Sequence, residues 1–132
     1  LRGFTFVKRE VKFDDSRFDV FASNEEGECF IEVKNVSMKV AEYARFPDAV
    51  TTRGKKHLNT LMKVKKEGKR AVMVYVIQRT DVTKFAPAFD IDPEYAKTLK
   101  EAFENGVEIY AIQAIVTPEQ VELGELLPIE LE

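Results

Sequence analysis

The chain has 132 residues, 45% of them apolar and 33% charged, with a formal net charge of −3. That length suffices for one compact domain with a core, and the composition is ordinary for a globular protein in water. No run approaches the roughly 20 apolar residues that a membrane helix needs, so no membrane partner is expected. The single cysteine, Cys29, excludes an internal disulfide.

Taken in chain order, residues 4–13 (FTFVKREVKF) read as a strand. Asp14-Asp15-Ser16 is turn material, and 17–23 form a second strand. Asn24-Glu25-Glu26-Gly27 makes a hairpin turn into a third strand over 28–35. A loop follows through Pro47. Thr51 or Thr52 can cap a helix that runs to about Glu67 and ends at Gly68, with Leu58, Leu61 and Met62 as its apolar stripe. Residues 70–78 (RAVMVYVIQ) are nearly all apolar, as in a central strand covered on both faces. Pro87 falls in an irregular connection. Asp92-Pro93-Glu94 opens a second helix, which Asn105-Gly106 stops. Residues 107–116 give the next strand, and the tail from Pro118 is acidic, with one short extended piece.

The predicted order is βββαβαβ. The first three strands form an antiparallel meander, and right-handed crossovers through the helices bring the last two parallel to the third. The fold class is α/β, a mixed central sheet flanked by helices. With no secretory leader visible and one lone thiol, a reducing, cytoplasmic setting is expected. The chain opens on Leu1 in what reads as mid-strand, so residues 1–132 are expected to be one domain of a longer protein.

The net charge hides an uneven distribution. Arg53, Lys55, Lys56, Lys63, Lys65, Lys66, Lys69 and Arg70 crowd the stretch from Thr51 to Arg70 against a single acid, Glu67, whereas the chain from Asp90 onward is acidic. Such a segment is either a solvated helix face or a surface for phosphates.

The hairpin poses a sharper question, because Asp19, Glu32 and Lys34 lie inside its strands. A turn centred on Glu25-Glu26 puts Asp19 opposite Glu32 and Arg17 opposite Lys34. Alternation then sets Asp19, Glu32 and Lys34 on one face. Directly opposed Cβ atoms are about 4.5–5.5 Å apart, so the two carboxylates repel unless a cation lies between them. Mg²⁺ or Mn²⁺ would remove that penalty, and Lys34 could hold a water or stabilise charge on a phosphate. The alternative is a charge cluster on an exposed sheet face. Glu10-Val11-Lys12 repeats the acid-x-Lys spacing but lacks an acid on a preceding strand. Glu10 is therefore kept only as an accessory acid.

The topology gathers further groups at the same edge. Lys34 ends the third strand, Gln78-Arg79 end the strand after the helix, and the helix N-terminus, with its free N–H groups, begins nearby. Arg53, Lys56, His57 and Thr60 can share one side of the helix's first turns. Open α/β sheets bind ligands in such crevices. His57, the only histidine, is either a plain polar helix residue or a participant.

An Asp followed by Glu-x-Lys on the adjoining strand, then a helix and a parallel strand, resembles the PD-(D/E)XK nuclease core. Several stretches carry a closer resemblance: "REVKFDDSRFDV" (9–20), "IEVKNVSM" (31–38), "ARFPDAVTTRGKKHLNTL" (44–61), "EGKRAVMVYVIQRTD" (67–81), "IDPEYAKTLKEAFENGVEIYA" (91–111) and "ELGELLPIEL" (122–131). Together they are similar to the sugar fermentation stimulation protein family over almost the whole chain. That resemblance implies a DNA-binding protein with a nuclease-like C-terminal domain and an N-terminal OB-type domain, the latter not in this chain. It implies Asp19, Glu32 and Lys34 as the nuclease-core residues and adds Asp48, Arg53 and His57. Phe18 stands where the wider nuclease pattern commonly has Pro. Three functions remain open: DNA binding with metal-dependent cleavage, a phosphoesterase acting on small nucleotides or structured RNA, and a regulatory or assembly domain that keeps the fold without catalysis.

Overall fold

The computed structural model describes residues 6–13 and 16–131. In chain order the elements are β1 (Phe6–Phe13), β2 (Ser16–Asn24), β3 (Gly27–Val36), β4 (Met38–Val40), β5 (Tyr43–Phe46), α1 (Thr52–Lys66), β6 (Arg70–Ile77), β7 (Lys84–Pro87), α2 (Pro93–Glu104), β8 (Glu108–Val116) and β9 (Val121–Leu126). The start of the first expected strand and the Asp14-Asp15 turn lie outside the described residues.

The main sheet has six strands in the order β1-β2-β3-β6-β8-β9. β3, β6 and β8 run parallel at its centre, and β1, β2 and β9 pair antiparallel outside them. This is the expected mixed sheet. Its centre is parallel because each crossover carries a helix. β6 steps to one side of β3 and β8 to the same side of β6, so both right-handed crossovers lay their helices on one face. That face buries Phe18, Phe30, Met73, Tyr75 and Ile77 against Leu58, Leu61 and Val64 of α1 and Tyr95 and Leu99 of α2. The opposite face buries Ala22, Cys29, Ile31 and Val72. β6 is apolar from Ala71 to Ile77 because it serves both.

Two expectations are corrected. Part of the segment expected to be a loop through Pro47 is a hairpin, β4 and β5, and the connection around Pro87 is β7. Together they form a second, three-stranded sheet, β4-β5-β7. Strands of three or four residues are too short to show a period in sequence. The acidic tail supplies the short extended piece expected of it as β9. β9 pairs with β8, and Ile129 bridges to Phe85.

The helix boundaries follow local chemistry. Thr51 has extended dihedrals, and its hydroxyl accepts from the Gly54 N–H at 2.9 Å. Lys63, Lys65 and Lys66 stand in the last turn of α1, where they complement the carbonyl end of the helix dipole. Gly68, at φ 86°, lets the chain leave toward β6. Asp92 caps α2, with Pro93 in the first turn.

Gly54 is constrained by packing. A Cβ there would lie 2.7 Å from Thr51 Cγ2 and 3.0 Å from the fully buried Tyr95 ring. Alanine favours a helix by about 0.8–1.0 kcal/mol over glycine, but wedging into a packed site costs about 1–3 kcal/mol. Gly54→Ala is therefore expected to lower the melting temperature by roughly 3–5 °C, read by calorimetry. A rise would show that the two helix starts are not in close contact.

Candidate metal and phosphate site

The site forms where the β2–β3 ladder ends. The predicted register holds from Asn24↔Gly27 to Val20↔Ile31, the last regular pair. One residue further, the Asp19 side chain replaces the ladder, and its Oδ2 accepts from the Val33 N–H at 2.8 Å. β3 continues beside β6 as far as Val36↔Ile77. Glu32 and Lys34 therefore stand on the helix-facing side of a strand that has just lost one neighbour.

Glu32 is 3% exposed, Lys34 is half-buried and Asp19 is exposed. Glu32 is hydrogen-bonded to Asp19, and its Oε2 lies 3.2 Å from His57 Nδ1. Lys34 Nζ is 3.1 Å from the same nitrogen. His57 is itself 6% exposed. It was expected on a phosphate-facing side of α1. It instead lies on the buried stripe with Leu58, Leu61 and Val64, and Thr60 is buried too, whereas Met62 is only half-buried. The spacing of three to seven residues from His57 to Thr60, Leu61 and Val64 was the sequence signal for this.

Burial pushes Glu32 up to about 8, helped by its hydrogen bond to Asp19 and opposed by Lys34. Burial also tends to raise Asp19. The hydrogen bonds from Glu32 and the Val33 N–H and the nearby Lys34 charge outweigh it, and Asp19 ends below its ordinary value. The pair thus holds one proton on Glu32 at neutral pH. Burial, followed by the charges of Lys34 and Arg53, pushes His57 down to about 4, so its ring is neutral.

A neutral ring has one donor nitrogen. A lysine ammonium carries donors only, so Nδ1 accepts from Lys34 and the ring proton sits on Nε2. Glu32 Oε2, 3.2 Å from that nitrogen, has no hydrogen-bond partner. A buried acceptor without a donor, beside a second carboxylate, fits a cation. Among the described residues no three His, Cys, Asp or Glu side chains already converge on a metal position. The donors therefore suit an ion such as Mg²⁺, which uses one or two carboxylates and keeps its waters.

These protonation states predict a pH dependence of stability. The folded state holds the Glu32 proton more tightly than the unfolded chain, so this contribution is lost as pH rises from about 4.5 to about 8. For His57 the sign is opposite, and stability is lost as pH falls from 6.5 toward about 4. Only Glu32 acts between pH 6.5 and 8. In chelator, stability should fall by about 1–2 kcal/mol across that window. Glu32→Gln should flatten the slope in urea titrations. A slope unchanged in Glu32→Gln would place the proton elsewhere.

The remaining predicted residues divide. Arg53 and Lys56 are exposed on the first turns of α1, close enough for their charges to act on His57. Glu10 is exposed in β1 between the pairs Arg9↔Val20 and Val11↔Phe18, level with Asp19, with φ 55°. Asp48 is exposed in the bend after β5. Arg79 is engaged elsewhere, with Asp81 at 2.7 and 2.9 Å and the Ser37 carbonyl at 3.2 Å. Gln78 reaches Asn35 at 3.4 Å. Neither has a contact with the carboxylate cluster among the described residues. Phe18, at the position where Pro is common, is fully buried and packs edge-on against Phe30.

Asp92 was read only as a helix cap, but it has a second role. Its Oδ1 accepts from the Tyr95 N–H at 3.0 Å and its Oδ2 from the Thr51 N–H at 2.9 Å. One buried carboxylate thus ties the starts of both helices together. Behind them the Tyr75 and Tyr95 hydroxyls hydrogen-bond in the core.

The mixed sheet, the hairpin presenting Asp19 and Glu32-Val33-Lys34, and the helix laid over them define a restriction-endonuclease-like domain. A family model described as "Sugar fermentation stimulation protein RE domain" matches residues 1–120. The chain belongs to the sugar fermentation stimulation protein family. It is 46% identical over 132 residues to a sugar fermentation stimulation protein homolog of Pelobacter propionicus, covering 99% of this chain and 57% of that protein. It is likewise 46% identical over 133 residues to one from Geobacter metallireducens, with the same coverage. The chain thus spans a little over half the length of these relatives. Among solved structures, Pyrococcus furiosus SfsA in complex with Ca²⁺ superposes with a TM-score of 0.90 at 35% identity, over 98% of this chain and 56% of that one. No helix among the described residues is long and apolar enough to cross a membrane.

Proposed function

We propose that this domain binds DNA and hydrolyses a phosphodiester bond with a divalent cation, Mg²⁺ or Mn²⁺, held by Asp19 and Glu32. The observation that carries the reading is the buried Glu32 carboxylate, hydrogen-bonded to Asp19 and left with one oxygen lacking a donor, next to the Lys34 ammonium. The relative from Pyrococcus furiosus was solved with Ca²⁺, a cation of the same charge and the same preference for oxygen ligands.

When bound, the cation supplies Lewis acidity and neutralises phosphate charge. Asp19 and Glu32 give up their shared proton to hold it. Lys34 donates from its ammonium to a phosphate oxygen as negative charge develops there. Arg53 and Lys56 contact backbone phosphates without reading sequence, so affinity falls with salt. The N-terminal OB-type domain implied for the full-length protein would extend this groove, and a cytoplasmic setting accords with the reading.

The test is cleavage of a labelled DNA duplex by the full-length protein with Mn²⁺, with Glu32→Ala as control. Cleavage by the wild type and none by the variant supports the reading. DNA retention without cleavage in any divalent ion favours the second reading, a regulatory or assembly domain without catalysis. The absence of a converged three-donor set among the described residues speaks for that alternative.

A further inference from the structure

The two faces of the main sheet are covered unequally. Both helices pack on one face, and no helix among the described residues lies on the other, whose cluster is built from strand residues alone. Parallel strands normally have both faces covered, which is why they read apolar in both directions. β6 has the sequence of such a strand but lacks half the cover. Val74 and Val76 alternate with the helix-facing Met73, Tyr75 and Ile77, and they are only half-buried. Val74 stands beside Tyr110 of β8, and Val76 beside Ile112. β9 extends the same surface, because Leu126 pairs with Ile112 and Leu123 with Ala114 across a register shift. Leucines three residues apart would otherwise stand on opposite faces, so the bulge is what places both here. They are 62% and 66% exposed.

The size of this patch decides what can cover it. From β3 to β9 is three strand intervals, about 14 Å, and from Tyr110 to Ala114 is about 13 Å along the strand. With side-chain width added, the patch measures on the order of 300–400 Å², so two copies meeting through it would bury about 600–800 Å², short of the roughly 1,200–2,000 Å² of stable association between separate molecules. Domains of one chain hold together through contacts from about 600 Å² upward, because the tether supplies an effective concentration in the millimolar range. The relatives are long enough to supply a tethered occupant, since this chain spans only 57% of each.

We infer that the helix-free apolar face around Val76, Ile112, Leu123 and Leu126 is the docking surface for the part of the full-length protein outside residues 1–132. Val76 pairs with Asn35, the residue after Lys34. The docked part therefore stands at the same edge of the sheet as the carboxylate site, on the reverse face from Glu32 and Lys34. The inference requires no bound cation, so it and the metal reading can fail separately.

Hydroxyl-radical footprinting of the full-length protein, read by mass spectrometry and corrected for intrinsic reactivity, measures the cover directly. Leu123, Leu126 and Tyr110 are expected to lose their reactivity to the level of the fully buried Leu58 and Leu61, while Phe103, 57% exposed on α2, stays reactive. Leu126→Lys in the full-length protein should restore reactivity at Leu123 and Tyr110 and raise the radius of gyration in solution scattering. Leu126 is exposed within the domain, so this change leaves the core intact. Leu123 and Leu126 as reactive as Phe103 in the wild type overturns the inference, whether or not the variant folds. Protection that disappears on dilution, with a dimer in sedimentation, assigns the face to a second copy and overturns it as well.

Discussion

Lys34→Ala is expected to reduce metal-supported DNA cleavage by about 10²–10³-fold, the loss usual for one preorganised charge or donor at a reacting centre. The ammonium is half-buried on the face that carries Glu32, close to the His57 ring. It is oriented before substrate arrives, so its removal should act on kcat more than on KM. The fold should tolerate the change. Lys34 holds Glu32 toward its charged form, and without it Glu32 keeps its proton more firmly. The melting temperature of the variant in chelator should therefore stay within a few degrees of wild type. Lys34→Arg should not rescue, because a planar guanidinium cannot take the place of a compact ammonium between the imidazole and a phosphate. Undiminished cleavage in Lys34→Ala would remove it from the chemistry.

The second large effect concerns Asp92, which is 4% exposed and accepts from the Thr51 N–H at the cap of α1 and from the Tyr95 N–H in the first turn of α2. Asp92→Ala removes the cap of α2 and leaves the Thr51 N–H without its partner. Losing a cap costs about 1 kcal/mol, and leaving the part-buried Thr51 N–H without its acceptor costs about 1 kcal/mol more. The melting temperature should fall by roughly 10 °C. Asp92→Asn keeps one acceptor and should lie between the two. α1 packs His57 against Glu32, with Nδ1 3.2 Å from Oε2, so a displaced helix start should also disturb the Glu32 carboxylate and weaken divalent-cation binding. Asp92→Ala melting with the wild type would mean that the helices are positioned by apolar packing alone.

Some of this was legible in the sequence for definite physical reasons. A two-residue turn fixes hairpin register, so Asn24 to Gly27 sufficed to set Asp19 level with Glu32. The long apolar run of β6 could only be a strand covered on both sides, and that run required the parallel centre of the sheet. Both helices announced their caps. Other features depend on contacts distant in sequence. The Asp92–Thr51 bond spans 41 residues, and nothing local to Asp92 distinguishes it from any helix cap. The second sheet is built from strands too short to have a pattern. Arg79 looked free at a strand end, but Asp81, two residues on, takes its guanidinium. His57 was misjudged because its polarity was given more weight than its position on the buried stripe of α1.

The central claim is that Asp19 and Glu32 exchange a shared proton for a divalent cation. The most direct measurement is the melting temperature of the protein at pH 8 as Mn²⁺ is added, for the wild type, Asp19→Asn and Glu32→Gln. The wild type should gain stability in a saturable way, by about 2.7 kcal/mol when the free ion reaches 100 times its Kd, and both variants should gain almost nothing. An equal gain in Glu32→Gln, or none in the wild type, would contradict the claim.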